Sequence, residues 1–254
     1  MERYVAFLDI LGFGSIVEHH PLSEILDTLS IVYSKTEEVR RVGARARSDG
    51  TFPITEQTNL FPFSDTFVLS SFDATETSFV NIVASTSLMA RYLFGCRLPV
   101  RGAITKGEAD LIPHTNHLIG KAVIRAKNLE ETQDWFGIII DPELQFNNSI
   151  NYFLNSPALK PVIVEYLVPF KNGEKSCKII NWRFNWKVQN GTKSIFTPTS
   201  KEKDKIKIQN TLKFCKWIRD NNLHVPTSEV WFPWLKELKF NNSKDSWLNH
   251  GDEY

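Results

Sequence analysis

The chain has 254 residues, of which 42% are hydrophobic and 23% charged, and its net charge is +1. That length and apolar content predict a globular protein able to bury a real core, and the near-neutral charge excludes a basic field that collects nucleic acid. Cys96, Cys177 and Cys215 are odd in number and widely spaced, which excludes a disulfide framework or a CxxC zinc site. The sequence has no leader pattern and no apolar run long enough to span a bilayer, so a cytoplasmic protein with no sensor domain ahead of it and no membrane partner is expected.

Residues 3–10 read as a strand with apolar side chains at successive positions, as in a central strand covered on both faces. Gly12 and Gly14 follow as a tight turn. A helical pattern starts at Pro21 and is expected to run to about Arg47, with Ile25, Leu26, Leu29, Ile31, Val32 and Tyr33 as its stripe and a turn at Asp49-Gly50. Residues 57–63 and 65–71 predict a hairpin around Ser64-Asp65, and a helix is expected from Thr75 to Phe94 with Gly95 as its cap. A strand over 98–105 leads to a short hairpin through Pro113-His114-Thr115-Asn116, then a helix from Gly120 to about Thr132 and an apolar strand from Gly137 to Ile140. Asp141-Pro142 predicts the first turn of another helix.

Beyond about residue 158 the texture changes, giving a boundary between residues 1–158 and a C-terminal extension over 159–254. The extension is expected to hold strands from Pro161 to Phe170 and from Ser176 to Val188, joined at Asn172-Gly173, with Trp182, Phe184 and Trp186 on one face. A basic amphipathic helix spans Lys201 to Asn222, its lysines reading as a solvated face rather than a nucleic-acid contact. The tail with Trp231, Phe232, Trp234 and Trp247 is expected to be loosely structured.

The order β, α, ββ, α, β up to residue 140 predicts an α+β fold with a ferredoxin-like βαββαβ core. In that topology the end of strand one lies beside the start of strand three. Asp9 ends the first and Asp65 starts the third, so two acids far apart in sequence become neighbours at one end of the sheet. Two carboxylates on apolar strands call for a shared cation, because an unpaired buried charge is costly. With a backbone carbonyl they form a hard-oxygen set suited to Mg²⁺ or Mn²⁺ held with substrate phosphates. The alternative is that Asp9 caps its turn and Asp65 is an ordinary turn residue.

Phe7-Leu8-Asp9-Ile10-Leu11-Gly12-Phe13 resembles the opening motif of class III nucleotidyl cyclases, and Phe63-Ser64-Asp65 resembles the hairpin carrying their second metal Asp. Arg101-Gly102-Ala103-Ile104-Thr105-Lys106-Gly107 resembles the strand that follows, and Gly120-Lys121-Ala122-Val123-Ile124-Arg125-Ala126-Lys127-Asn128-Leu129-Glu130 the helix that carries transition-state groups. The ordered set covers about residues 3–140. It departs from the family at Ile124 and Asn128, where an Asn and an Arg are usual, and at Pro99 and His117, where purine-reading enzymes carry a Lys and an Asp. That pattern is similar to the stand-alone pyrimidine cyclases of bacterial anti-phage (Pycsar) systems.

The resemblance implies a uridylate cyclase, or a cytidylate cyclase, that uses two Mn²⁺ or Mg²⁺ ions per site on Asp9, Ile10 and Asp65. It implies a homodimer with sites at the interface, and a cyclic UMP or cyclic CMP product acting on a separate effector protein. Arg125 and Asn128 become the candidate catalytic groups, and Phe13, Phe61, Arg101, Lys106 and Lys121 the candidate nucleotide contacts. Arg125 reads equally as a solvated helix face, Arg101 as a surface charge and Phe61 as core. A purine cyclase and a non-catalytic nucleotide-binding dimer stay open as rivals. None of the six histidines has metal-ligand spacing with a cysteine.

Overall fold

The computed structural model describes residues 1–42, 56–96, 98–112, 115, 117–146, 150, 162–182 and 202–223. The expected helix end near Arg47, the Asp49-Gly50 turn, most of the 113–116 turn, Phe184, Trp186 and the tail from His224 lie outside the described residues.

The chain opens with β1 (Glu2–Ile10), three helices α1 (Phe13–His19), α2 (Leu22–Ser34) and α3 (Thr36–Arg41), then β2 (Asn59–Phe63) and β3 (Thr66–Ser70). There follow α4 (Glu76–Gly95), β4 (Val100–Glu108), the short pair β5 (Asp110–Leu111) and β6 (Leu118–Ile119), α5 (Lys121–Glu131) and β7 (Ile138–Ile140). A hairpin of β8 (Ile163–Phe170) and β9 (Gly173–Ile180) and the helix α6 (Glu202–Asp220) complete the described elements.

The large sheet has seven strands in the order β2-β3-β1-β4-β7-β9-β8. Its first four strands are antiparallel throughout, in the order expected of the βαββαβ core. β7 adds parallel to β4, and β9 pairs antiparallel with β7, so the C-terminal hairpin extends this same sheet.

β1 is enclosed on both faces, which is why its sequence is apolar at successive positions. Tyr4, Ala6, Leu8 and Ile10 enter the main core with Phe79, Ile82, Val83 and Met89 of α4. Val5 faces the other way, into a small cluster with Ala109 and with Ala122 and Ala126 of α5, against which Phe7 and Val68 pack. Two alanines one turn apart let α5 lie close on the sheet. The main core continues into the C-terminal part. There Phe214 of α6 lies edge-on to Trp135, 5.1 Å away, and the Phe136 N–H donates to the Thr211 hydroxyl at 2.8 Å.

Four expectations are corrected. The helical stretch after Pro21 is two helices broken at Lys35, and a short α1 precedes it after Gly12, whose φ of 74° is left-handed. Gly95 is the last residue of α4 rather than its cap; Cys96 ends the helix with φ −84°, so no left-handed residue is used there. β9 starts at Gly173, not Ser176, and the Lys171-Asn172 turn closes the hairpin. Asp141-Pro142 starts a turn, not a helix: the Asp141 carboxylate accepts from the Glu143 N–H at 2.9 Å, the side-chain-to-backbone bond that competes with helix formation.

Gly102 sets the spacing between β1 and β4. A Cβ there would lie 2.5 Å from Leu8 Cδ2 and 2.5 Å from the Phe7 carbonyl oxygen. Gly102→Ala is therefore expected to cost about 1–3 kcal/mol of stability, read as a lower denaturant midpoint in equilibrium unfolding.

Candidate metal and nucleotide site

Asp9 and Asp65 meet at one end of the sheet. Asp9 stands opposite Thr66 on β3 and opposite Arg101 on β4, so all three project on the α5 face of the sheet. The Ile10 N–H donates to the Asp65 carbonyl at 2.9 Å, joining the two acidic segments, and the Leu11 N–H donates to the Pro99 carbonyl, just before β4, at 2.8 Å. The Thr66 hydroxyl donates to Asp9 Oδ1 at 3.1 Å, across a separation of 57 residues.

The electrostatics divide into one satisfied pair and one unsatisfied pair. Arg101 is 7% exposed and Glu130, on α5, 2%. Arg101 Nε donates to Glu130 Oε1 at 2.5 Å and Nη1 to the Gln133 carbonyl at 2.7 Å. Within the chain its guanidinium is thus directed at a buried partner. Glu130 was not singled out from the sequence; the signal was its position on the Ala122–Ala126 stripe, which carries an acid onto the buried face of α5.

Asp9 has no such partner. Burial pushes its carboxyl above the usual range and the neighbouring Asp65 pushes it further, while the Thr66 hydrogen bond and Arg101 act in the opposite sense. Among the described residues neither Asp9 nor Asp65 makes an ion pair, and no group of three or more His, Cys, Asp or Glu side chains forms a larger metal cluster. Two adjacent carboxylates, one raised by burial and by its neighbour, with the nearest guanidinium neutralised elsewhere, form a locally negative pair of hard oxygen donors. Those donors fit a divalent cation such as Mg²⁺ or Mn²⁺.

The remaining candidates divide by distance. Phe61 stands in the row with Val68 and Phe7, on the Asp9 face, and Phe13 begins α1 just past the turn and packs on the main core. Phe63, beside Thr66 on the same row as Asp9, is 80% exposed. Lys106 does not join this site. It pairs with Tyr4, five residues from Asp9 along β1, roughly 17 Å at about 3.3 Å per residue; its ammonium lies 5.9 Å from the Tyr4 ring centroid and 3.5 Å from Glu2.

Lys121 is likewise at the far end of α5, 3.2 Å from Glu108. Arg125 turns toward β7: its guanidinium forks onto both Asp141 oxygens and its Nη2 lies 2.7 Å from Glu143 Oε2. Asn128 and Ile124 are exposed, and with Lys121, Arg125 and Glu143 they line a shallow cleft of ≈ 400 Å³ along α5. Within one chain, then, the α5 candidates face outward and do not converge on Asp9 and Asp65.

No protein-family model matches the chain, and no curated protein does. Among solved structures it is similar to the guanylyl cyclase Cya2, at 14% identity over 71% of this chain and 90% of that one, with a TM-score of 0.44. It is similar to the catalytic core of a rhodopsin-guanylyl cyclase with converted specificity in complex with ATPαS, at 14% identity over 70% and 94%, TM-score 0.46. A bacterial light-regulated adenylyl cyclase gives 13% identity over 76% and 96%, TM-score 0.46. Likeness of this degree carries neither an activity nor a substrate to this chain.

Two outcomes are expected from this geometry. Arg101→Met alone leaves Glu130 buried and unpaired and should cost about 3–5 kcal/mol in chemical denaturation, whereas Arg101→Met with Glu130→Leu should recover most of the loss. Asp9, its folded carboxyl raised above the unfolded value, costs stability as pH rises out of the ordinary carboxylate range, and the full cost is present above the raised value. Asp9→Asn should therefore raise the melting temperature of the metal-free protein at pH 7–8, and the gain should shrink as pH falls toward the carboxylate range.

Proposed function

We propose that this protein is a nucleotidyl cyclase of the class III kind, acting on a pyrimidine nucleoside triphosphate and releasing pyrophosphate and a cyclic nucleotide. The observation that carries the proposal is the pairing of Asp9 with Asp65, brought together by the β1–β3 register and left without a compensating cation. The cyclase-like motifs of the sequence fall on the strands and helix that surround this pair.

In the proposed reaction the ribose 3′-hydroxyl forms a bond to the α-phosphorus, the bond from that phosphorus to the β-phosphate bridging oxygen breaks, and the hydroxyl proton is released. Asp9 and Asp65 would hold the divalent cations, which when bound would supply charge neutralisation and a more acidic hydroxyl. The chain's own part is to hold the two carboxylates on a rigid sheet end, with the Ile10 carbonyl beside them. The apolar row of Phe7, Val68 and Phe61 shares the sheet face of Asp9.

Pyrimidine specificity is supported by what the purine-reading positions hold: Pro99 has no side-chain donor and gives its carbonyl to Leu11, and His117 replaces an acid. Uracil over cytosine, a signalling role in anti-phage defence and a separate effector protein rest on the resemblance to the Pycsar cyclases. A homodimer is supported by apolar side chains left exposed, Phe63 at 80% beside the acidic pair and Ile124 at 62% in the cleft along α5. In it the outward groups of α5, Lys121, Arg125 and Asn128, would serve the site of the partner subunit.

Incubating the full chain with each of the four ribonucleoside triphosphates and Mn²⁺, followed by mass spectrometry, is expected to give cyclic UMP or cyclic CMP. Asp65→Ala should lower that product at least about 100-fold. A cyclic purine product would replace the base assignment and keep the mechanism. No product from any triphosphate, with the nucleotide still bound, would replace the enzyme with a nucleotide-binding module.

A further inference from the structure

We infer that Thr66 is a positioning residue for the metal pair: its hydroxyl fixes the Asp9 carboxylate so that Asp9 and Asp65 present their oxygens to one cation. The inference rests on the metal reading above and goes beyond it, since Thr66 is not among the metal, catalytic or nucleotide contacts expected from the sequence.

Three observations carry it. First, Thr66 is the cross-strand partner of Asp9 and the chain neighbour of Asp65, so one residue touches both halves of the site. Second, among the described residues it is the only side chain that hydrogen-bonds the Asp9 carboxylate; the other residue facing Asp9, Arg101, is turned to Glu130 and the Gln133 carbonyl. Third, the bond goes to a single oxygen, Oδ1, at 3.1 Å, and among the described residues Oδ2 has no donor.

The physics of the pair makes such a bond necessary. Two carboxylates side by side repel, and a side chain free to rotate about its last bond swings away from its neighbour. A threonine is suited to oppose this. Its β-branched side chain is restricted at χ1, so the hydroxyl is held where the strand puts it. Groups that orient metal-binding side chains in this way typically contribute 10–100-fold to affinity.

The test is Mn²⁺ affinity of the full chain, measured by isothermal titration calorimetry without nucleotide, for wild type, Thr66→Val and Thr66→Ser. Valine keeps the shape and removes the donor; serine keeps the donor. Thr66→Val is expected to weaken Mn²⁺ binding about 10–100-fold, and Thr66→Ser to stay within about 3-fold of wild type. In turnover, Thr66→Val should raise the Mn²⁺ concentration needed for half-maximal rate and leave the rate at saturating Mn²⁺ within about 10-fold of wild type. Circular dichroism and thermal unfolding of the metal-free variants separate misfolding from lost positioning, and serine rescue must hold in folded protein. Thr66→Val that folds and binds Mn²⁺ as tightly as wild type overturns the role of Thr66 and leaves the metal reading standing. A wild-type chain that takes up no Mn²⁺ overturns the metal reading itself, and this role with it.

Discussion

β1 is hydrogen-bonded to β3 along one edge and to β4 along the other, with a helix over each face. A strand so enclosed leaves little solvent for its side chains, so its buried positions must be apolar, tiny or specifically partnered. Most of β1 meets this by being hydrophobic. Gly102 on β4 meets it by having no side chain where Leu8 and the Phe7 carbonyl approach. Arg101 meets it with a buried glutamate from α5. Asp9 is left with a single hydroxyl donor and a like-charged neighbour, the deficit on which the proposed metal site rests.

The contrast between Arg101 and Asp9 is instructive because they face each other across one strand spacing. Both are charged side chains on enclosed strands. One has a full complement of protein partners and is structural; the other has a single hydroxyl and a like-charged neighbour. Desolvation and Coulomb repulsion from Asp65 both act against the charged form of Asp9. A cation bound as proposed would offset both.

Much of this was legible in the sequence. The βαββαβ order could be read because the apolar runs are short, well separated and flanked by turn residues, and the topology then fixed which strand ends meet. Asp9 and Asp65 stood out as acids on apolar strands. What could not be read were features whose local signal is ambiguous. Glu130 belongs to a stripe of two alanines, too weakly hydrophobic to announce a buried face, so Arg101 looked available for a ligand. The seven-residue α1 is too short for periodicity to show. Asp141-Pro142 carries the same residues as a helix start, and only the tertiary partner, Arg125, decides that the Asp side chain closes a turn instead. The α5 cations were grouped with Asp9 by motif order, which does not encode the length of the helix that separates them from it.

The way β9 joins β7 gives the C-terminal hairpin a meaning beyond extension. β7 is three isoleucines, all buried, parallel to β4 on one side and covered on the other only by β9. Without the hairpin those isoleucines would form a bare sheet edge: unpaired amides beside branched apolar side chains, the combination that recruits further strands from other molecules. The β8–β9 hairpin therefore acts as a guard on the sheet as much as a part of its core, and a chain ending before it would be prone to associate through β7 rather than remain a discrete molecule.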